Sequence, residues 1–306
     1  MLWRLRVPSL LCRQDGRHSL DFWLLAISMT SAVCFALGLV LTTFGLRTLP
    51  PLVGVTFSVP SAFLLFLVLS PFTVDLSGFD WRALAIFAAA GAVYPAVVSL
   101  LNFVSNRAIG PNLTGGLGNL TPVFAIGLAV VILGEVPSVL QWLGVAAICG
   151  GLVMLALDRA RRFPTGSLLI LALPLAGAFF RGLVQPVVKI GLGFWPSAFA
   201  AALVAYGVST LVVWAVRIGS RQRLPEGAGA GIAWFALLGV ANGMALLLLY
   251  IALERGEVVE VAPLVATYPL ITIALNRVIH GDRSMGPGGI VGSVLSVAGV
   301  IAVLLG

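Results

Sequence analysis

The stretch Asn119–Glu135, NLTPVFAIGLAVVILGE, is apolar enough to lie in a bilayer, yet it carries a proline near its start and closes on Gly-Glu. At a spacing of 147 residues, Ala266–Asp282 reads ATYPLITIALNRVIHGD, with six identities over 17 positions and a Gly-acid pair at the same end. A proline inside a helix removes one backbone donor, and its ring crowds the carbonyl four residues earlier, here those of Gly118 and Val265. Lipid cannot satisfy a freed carbonyl, whereas a facing helix or a water-filled cavity can. Pro122 and Pro269 therefore predict two helices bent towards an interior, one in each half of the chain.

The repetition extends beyond these stretches. QWLGVAAICGGLVML (141–155) is echoed by GGIVGSVLSVAGVIAVL (288–304) after a one-residue insertion, so Gly144 and Gly151 answer Gly292 and Gly299. Each pair is seven apart, which puts both glycines near one helix face. Gly38-Leu-Val answers Gly182-Leu-Val, and Phe103 answers Tyr250. The chain of 306 residues is 60% hydrophobic and 9% charged, with a mean hydropathy of +1.10. Soluble domains carry roughly 25% charged residues, so this composition defines an integral membrane protein.

At about 20 apolar residues per crossing, ten spans are expected, near 22–44, 52–70, 83–104, 111–133, 138–157, 167–190, 195–216, 231–253, 258–279 and 287–305. A β-barrel is rejected because short alternating segments are missing. The expected organisation is a basic N-terminal segment (1–21), a first five-helix repeat (22–157), a linker (158–166) and a second repeat (167–306). Five is odd, so the second copy enters the membrane inverted, an architecture shared by many secondary transporters.

Arg4, Arg6, Arg13 and Arg17 precede the first span, which is too long for a signal-peptide core and lacks an Ala-x-Ala exit. It reads as a retained first helix with both termini cytoplasmic in a cell inner membrane. The net charge of +7 is scattered over loops. Nucleic-acid binding needs a clustered basic face, so the basic residues read as interfacial anchors to the lipid bilayer. Cys12, Cys34 and Cys149 share no metal-like spacing, and neither metal nor cofactor is expected.

Proline, apolar run, Gly-Glu and a following helix with glycines seven apart resemble the EamA domain of the drug/metabolite transporter superfamily. The resemblance is strongest over 108–155 and 254–304. It implies an all-α fold of ten helices in two repeats, a binding cavity between the halves, peripheral fifth and tenth helices, and transport of metabolites or drugs.

Gly134 and Gly281 are expected to end their helices. Glu135 and Asp282 then stand before the next helix, where a carboxylate complements the N-terminal dipole, and Pro137 suits that helix's first turn. Polar side chains within the spans supply cavity candidates: Tyr94, Asn102, Asn119, Asn242, Thr267 and Tyr268, with Gln185 and Asn276 beside them.

Arg181 stands apart, in mid-span within GAFFRGLVQPVVK, eight residues before Lys189. Ionisable residues at that depth default to functional roles, and a guanidinium matches carboxylate or phosphate. The expectation is a transporter of a small polar or anionic metabolite working by alternating access, as monomer or homodimer, with proton or counter-substrate coupling open. A proton-coupled multidrug exporter and a non-transporting assembly subunit are the alternatives. An enzyme is not expected, since His18 and His280 both fall outside the spans and no H-E-x-x-H occurs.

Overall fold

The computed structural model describes residues 22–102, 104–105, 117–118, 120–160, 168–220, 224–225, 227–280 and 287–305, and Asn119 falls outside them. The first half contains α1 (Phe22–Gly45), α2 (Pro51–Thr73), α3 (Trp81–Val93), α4 (96–102), α5 (Thr121–Leu133) and α6 (Val139–Ala160). The second contains α7 (Leu168–Phe194), α8 (Ala198–Ser220), α9 (Gly229–Arg255), α10 (Val258–Val265), α11 (Tyr268–His280) and α12 (Pro287–Leu305). The described residues include no strand. Six helices are long and apolar enough to cross a membrane: α1, α2, α3 taken together with α4, α7 from Ala172, α8 and α9. α5 and α6, like the stretches Val258–Thr272 and Val294–Val303, hold shorter apolar helices.

The two proline motifs do not bend continuous helices. The chain breaks just before each of them, and Pro122 and Pro269 each occupy the second position of a new helix. Proline is tolerated there because first-turn N–H groups have no partner within the helix. The breaks are alike bond for bond. Leu120 N–H donates to Leu117 O and Thr267 N–H to Leu264 O, both at 3.2 Å, while Val123 N–H donates to Leu120 O (3.1 Å) and Leu270 N–H to Thr267 O (2.9 Å). The Gly118 carbonyl, which Pro122 cannot serve, accepts the Thr121 hydroxyl at 2.7 Å.

A third break separates α3 from α4 at Tyr94-Pro95. Pro95 offers no N–H to the Gly91 carbonyl, and a neighbouring helix supplies the missing partner. Ser209 of α8 donates its hydroxyl to Gly91 O (2.5 Å) and accepts from Ala96 N–H (3.2 Å).

Packing interleaves the halves. α1 lies against α9, α10 and α11, while α7 lies against α3 and α5, and α2 pairs with α8 and α9. α6 and α12 form a pair of their own, with outward-facing Leu143, Val291 and Val294 exposed. Along this seam the glycines meet crosswise. A methyl group at Gly144 would lie 2.7 Å from Gly299 O, and one at Gly299 2.5 Å from Gly144 O. Gly151 meets Gly292 and Ser296 in the same way. α6 and α12 are therefore antiparallel, and exchanging the halves turns the first contact into the second.

The bundle end where α1 begins is tied by side chains. Trp195 Nε1–H donates to Asp75 O (3.1 Å), Ala198 N–H to Glu254 (3.2 Å), and Leu24 packs on Gly256. In the 74–80 loop Asp75 accepts from Ser77 N–H (2.8 Å), which holds its carboxyl below the usual range. Gly134 takes φ 72°, the left-handed turn that ends α5. Pro137 lies outside the first turn of α6, because Ser138 and Gln141 form a reciprocal capping box there, at 2.8 and 3.0 Å. Glu135 caps a different helix from the one expected: its oxygens accept from Val258 N–H (3.1 Å) and Val259 N–H (3.0 Å) at the start of α10. The loop before α6 is short, and its own polar side chains already satisfy that helix.

Candidate functional site

Arg181 lies 13 residues from either end of α7, so roughly 20 Å from each at 1.5 Å per residue. It is half-buried. Its Nη1 donates to the Tyr268 hydroxyl at 3.1 Å, and its guanidinium sits 5.8 Å from the centre of the Tyr94 ring. Nε makes no hydrogen bond among the described residues. Phe35 of α1 packs on Tyr268 with ring centres 6.0 Å apart.

Both tyrosines stand at helix breaks. Tyr94 closes α3, and Tyr268 opens α11. Arg181 therefore occupies the place where broken helices from the two halves converge, and backbone breaks at membrane depth are tolerated where they line a cavity. The guanidinium draws a cation–π contact from one tyrosine and a hydrogen bond from the other, but no carboxylate among its contacts. Among the described residues its charge has no carboxylate partner.

The remaining candidates are arranged around this centre. Asn102 lies close to Gly177, one turn along α7 from Arg181, and Asn242 packs directly on Gly38, one turn along α1 from Phe35. Each asparagine thus faces a glycine in the first helix of the other half. Thr267 is buried, its hydroxyl donating to Leu264 O (2.7 Å) and lying 3.9 Å from Met29 Sδ. Pro122 and Pro269 start the helices below the breaks. Asn119 and the side chain of Asn276 lie outside the described residues.

Sequence reasoning passed over Phe35, Tyr206 and Tyr250. Tyr206 and Tyr250 are buried, and the Tyr250 hydroxyl has no partner among the described residues. A lone hydroxyl in ALLLLYIAL was the available signal, obscured because tyrosine there reads as an apolar core residue. Gln185, one turn from Arg181, is buried with Oε1 unpartnered among the described residues. No group of three or more His, Cys, Asp or Glu suited to a metal occurs among the described residues.

A multi-pass helical membrane protein built from two repeated units, with a cation at their junction, is the class this geometry defines. The EamA-like transporter family matches residues 21–157 and 167–305, both copies and nearly the whole chain. The chain belongs to that family, within the drug/metabolite transporter superfamily, and is a membrane transporter. A crystal structure of another protein is similar in fold, with a TM-score of 0.72 and 16% identity over 91% of this chain and 95% of that one. No curated protein matches the chain in sequence.

Proposed function

We propose that the chain is a carrier of ten crossings, with its two five-helix units (22–157 and 167–306) inverted relative to each other, and that it moves a small polar or anionic metabolite by alternating access. The observation that carries this reading is the guanidinium of Arg181, held by Tyr94 and Tyr268 at the junction of the halves and facing no carboxylate among the described residues. A buried cation without a protein counter-charge needs water, carbonyls or a bound anion to offset its desolvation. A carboxylate or phosphate on the substrate fits the free edge of the fork. A cationic drug would meet repulsion there. Asn102 and Asn242 are placed to bind polar groups one turn away. The crosswise glycine seam supports the inverted arrangement, because an in-plane two-fold axis produces that pairing.

The chain is assigned to a cell inner membrane, with cytoplasmic termini argued from the basic cluster before α1, and as monomer or homodimer. Uptake by the purified protein in liposomes, screened against a metabolite library, tests the reading. Transport of anionic solutes that survives in Arg181→Lys at reduced affinity and is lost in a folded Arg181→Gln protein supports it. Full transport by Arg181→Gln ends it.

A further inference from the structure

α10 is a short helix of eight residues, buried everywhere except at Glu260, and it is cut off from α11 by the break at 266–267. It packs against helices of both halves: α1, α5 and α6 from the first, α7, α9 and α12 from the second. It fills the bundle end where α1 begins, one side of the level at which Arg181 stands. Its own start is pinned from the first half. Glu135, on the loop after α5, accepts from Val258 N–H and Val259 N–H. Lys189 of α7 completes the assembly, its Nζ bonded to Glu135 at 3.1 Å and to the Gly256 carbonyl at 2.8 Å. Glu135 is thus shared between a helix start and an ammonium group, both belonging to the other half.

On α7 the residues Arg181, Gln185 and Lys189 follow one another at four-residue intervals, which places them along one stripe of the helix. Gln185, between the central cation and this assembly, is the buried amide with an unpartnered oxygen. The three polar side chains thus lie in line along α7, with Lys189 bonded to Glu135 at the far end.

We propose that Glu135 is the latch that closes this end of the transport route: with Lys189 it holds α10 shut across the two halves, and α10 opens about the 266–267 break when the latch parts. The inference rests on the carrier reading for its purpose, but its physical content is the closure of α10. The opposite end lacks the same parts in sequence. At the 147-residue spacing Asp282 stands for Glu135, but Pro111 stands for Val258, and at the 144-residue spacing Gly45 stands for Lys189. Proline has no N–H to give and glycine no charge. The end with the latch is therefore the one held shut at rest.

The test uses the full chain with Cys12, Cys34 and Cys149 replaced by alanine, in lipid nanodiscs, and a single new cysteine at Val258 or, as a control in another core region, at Val53. Both positions are fully buried. The reading is the rate of reaction with a water-soluble maleimide, with thermal unfolding recorded alongside. Glu135→Gln and Lys189→Met are expected to speed labelling of the Val258 position tenfold or more and leave Val53 protected, while Lys189→Arg keeps the parent rate. An unchanged Val258 rate in Glu135→Gln overturns the latch. So does an equal rise at Val53, which means general loosening, or a Lys189→Arg protein as open as Lys189→Met, which means packing rather than charge. No solute is needed for this readout, so a latch that behaves as described beside failed uptake of every metabolite would count against the carrier reading alone.

Discussion

The seam between α6 and α12 and the site around Arg181 use the repeat in opposite ways. At the seam the two halves do the same thing: Gly144 meets Gly299 as Gly151 meets Gly292, and each contact is the other with the halves exchanged. Around Arg181 the backbone breaks are duplicated but the side chains in contact with it are not. At the spacings that relate the halves, Leu37 stands where Arg181 does, Thr121 where Tyr268 does and Ala241 where Tyr94 does. A duplicated arginine would bring two permanent cations together at low dielectric, where like charges repel strongly. Duplicated residues thus build the frame, and the side chains that meet at Arg181 are each present in one half alone.

The largest effect that would break this comparison is at Arg181. Removing a charged partner from a buried contact typically costs about 2–5 kcal/mol, so Arg181→Gln should weaken substrate binding at least roughly 30-fold. The thermal midpoint should change little, because the guanidinium has no carboxylate to lose among its contacts with the described residues. Binding titration and thermal unfolding of one preparation separate the two quantities. A large fall in stability with unchanged affinity would make Arg181 part of the frame.

Next comes the seam. Gly144→Val and Gly299→Val both press on the same backbone approach, and overpacking of this kind costs about 1–3 kcal/mol. The two substitutions should destabilise to a similar degree, and the double variant should lose less than the sum, because the residues share one contact. Affinity should not move. Unequal costs would mean that the two sides of this contact yield differently, and a Gly292→Val cost unlike that of Gly144→Val would mean that the crossing is not symmetric.

How far the fold was legible follows from the same division. The ten apolar segments read from composition each hold helix among the described residues, and the glycine spacing at 144, 151, 292 and 299 carried the seam. The prolines were legible as special but not as what they are. In sequence, a mid-helix bend and the second residue of a new helix look alike, and only the turn at 120 and 267 tells them apart. Glu135 misled in a similar way. Its neighbour in sequence is α6, whereas its partners Lys189, Val258 and Val259 are brought by tertiary packing that no local spacing encodes. Arg181 stood out in sequence because a charge at that depth has few explanations, while the buried Tyr206 and Tyr250 hid inside apolar runs.

A smaller effect belongs to Ser209, which repairs the break beside Tyr94. Its hydroxyl serves both Gly91 O and Ala96 N–H, and Ser209→Ala leaves both unserved in the core. At about 0.5–1.5 kcal/mol per bond, stability should fall by about 1–3 kcal/mol. Tyr94 sits inside the loosened segment, so affinity should fall as well, by less than in Arg181→Gln. A loss of stability without any change in affinity would detach Tyr94 from the site.

The smallest effect tests Thr267, the candidate whose sequence position and bonding point in different directions. It precedes Tyr268, but its hydroxyl is turned back on the Leu264 carbonyl within the break, as Thr121 is turned back on Gly118. If that is its whole role, Thr267→Ser keeps the bond and behaves as the parent. Thr267→Val keeps the shape but loses the bond, at about 1 kcal/mol, the scale of a hydrogen bond between groups in a membrane protein. Thr121→Val should cost a similar amount, since its hydroxyl also bonds the carbonyl three residues back, and neither change should alter substrate affinity. Weaker binding in Thr267→Val with no counterpart in Thr121→Val would place the Thr267 hydroxyl among the groups that touch substrate, and would make the second break part of the site rather than of the frame.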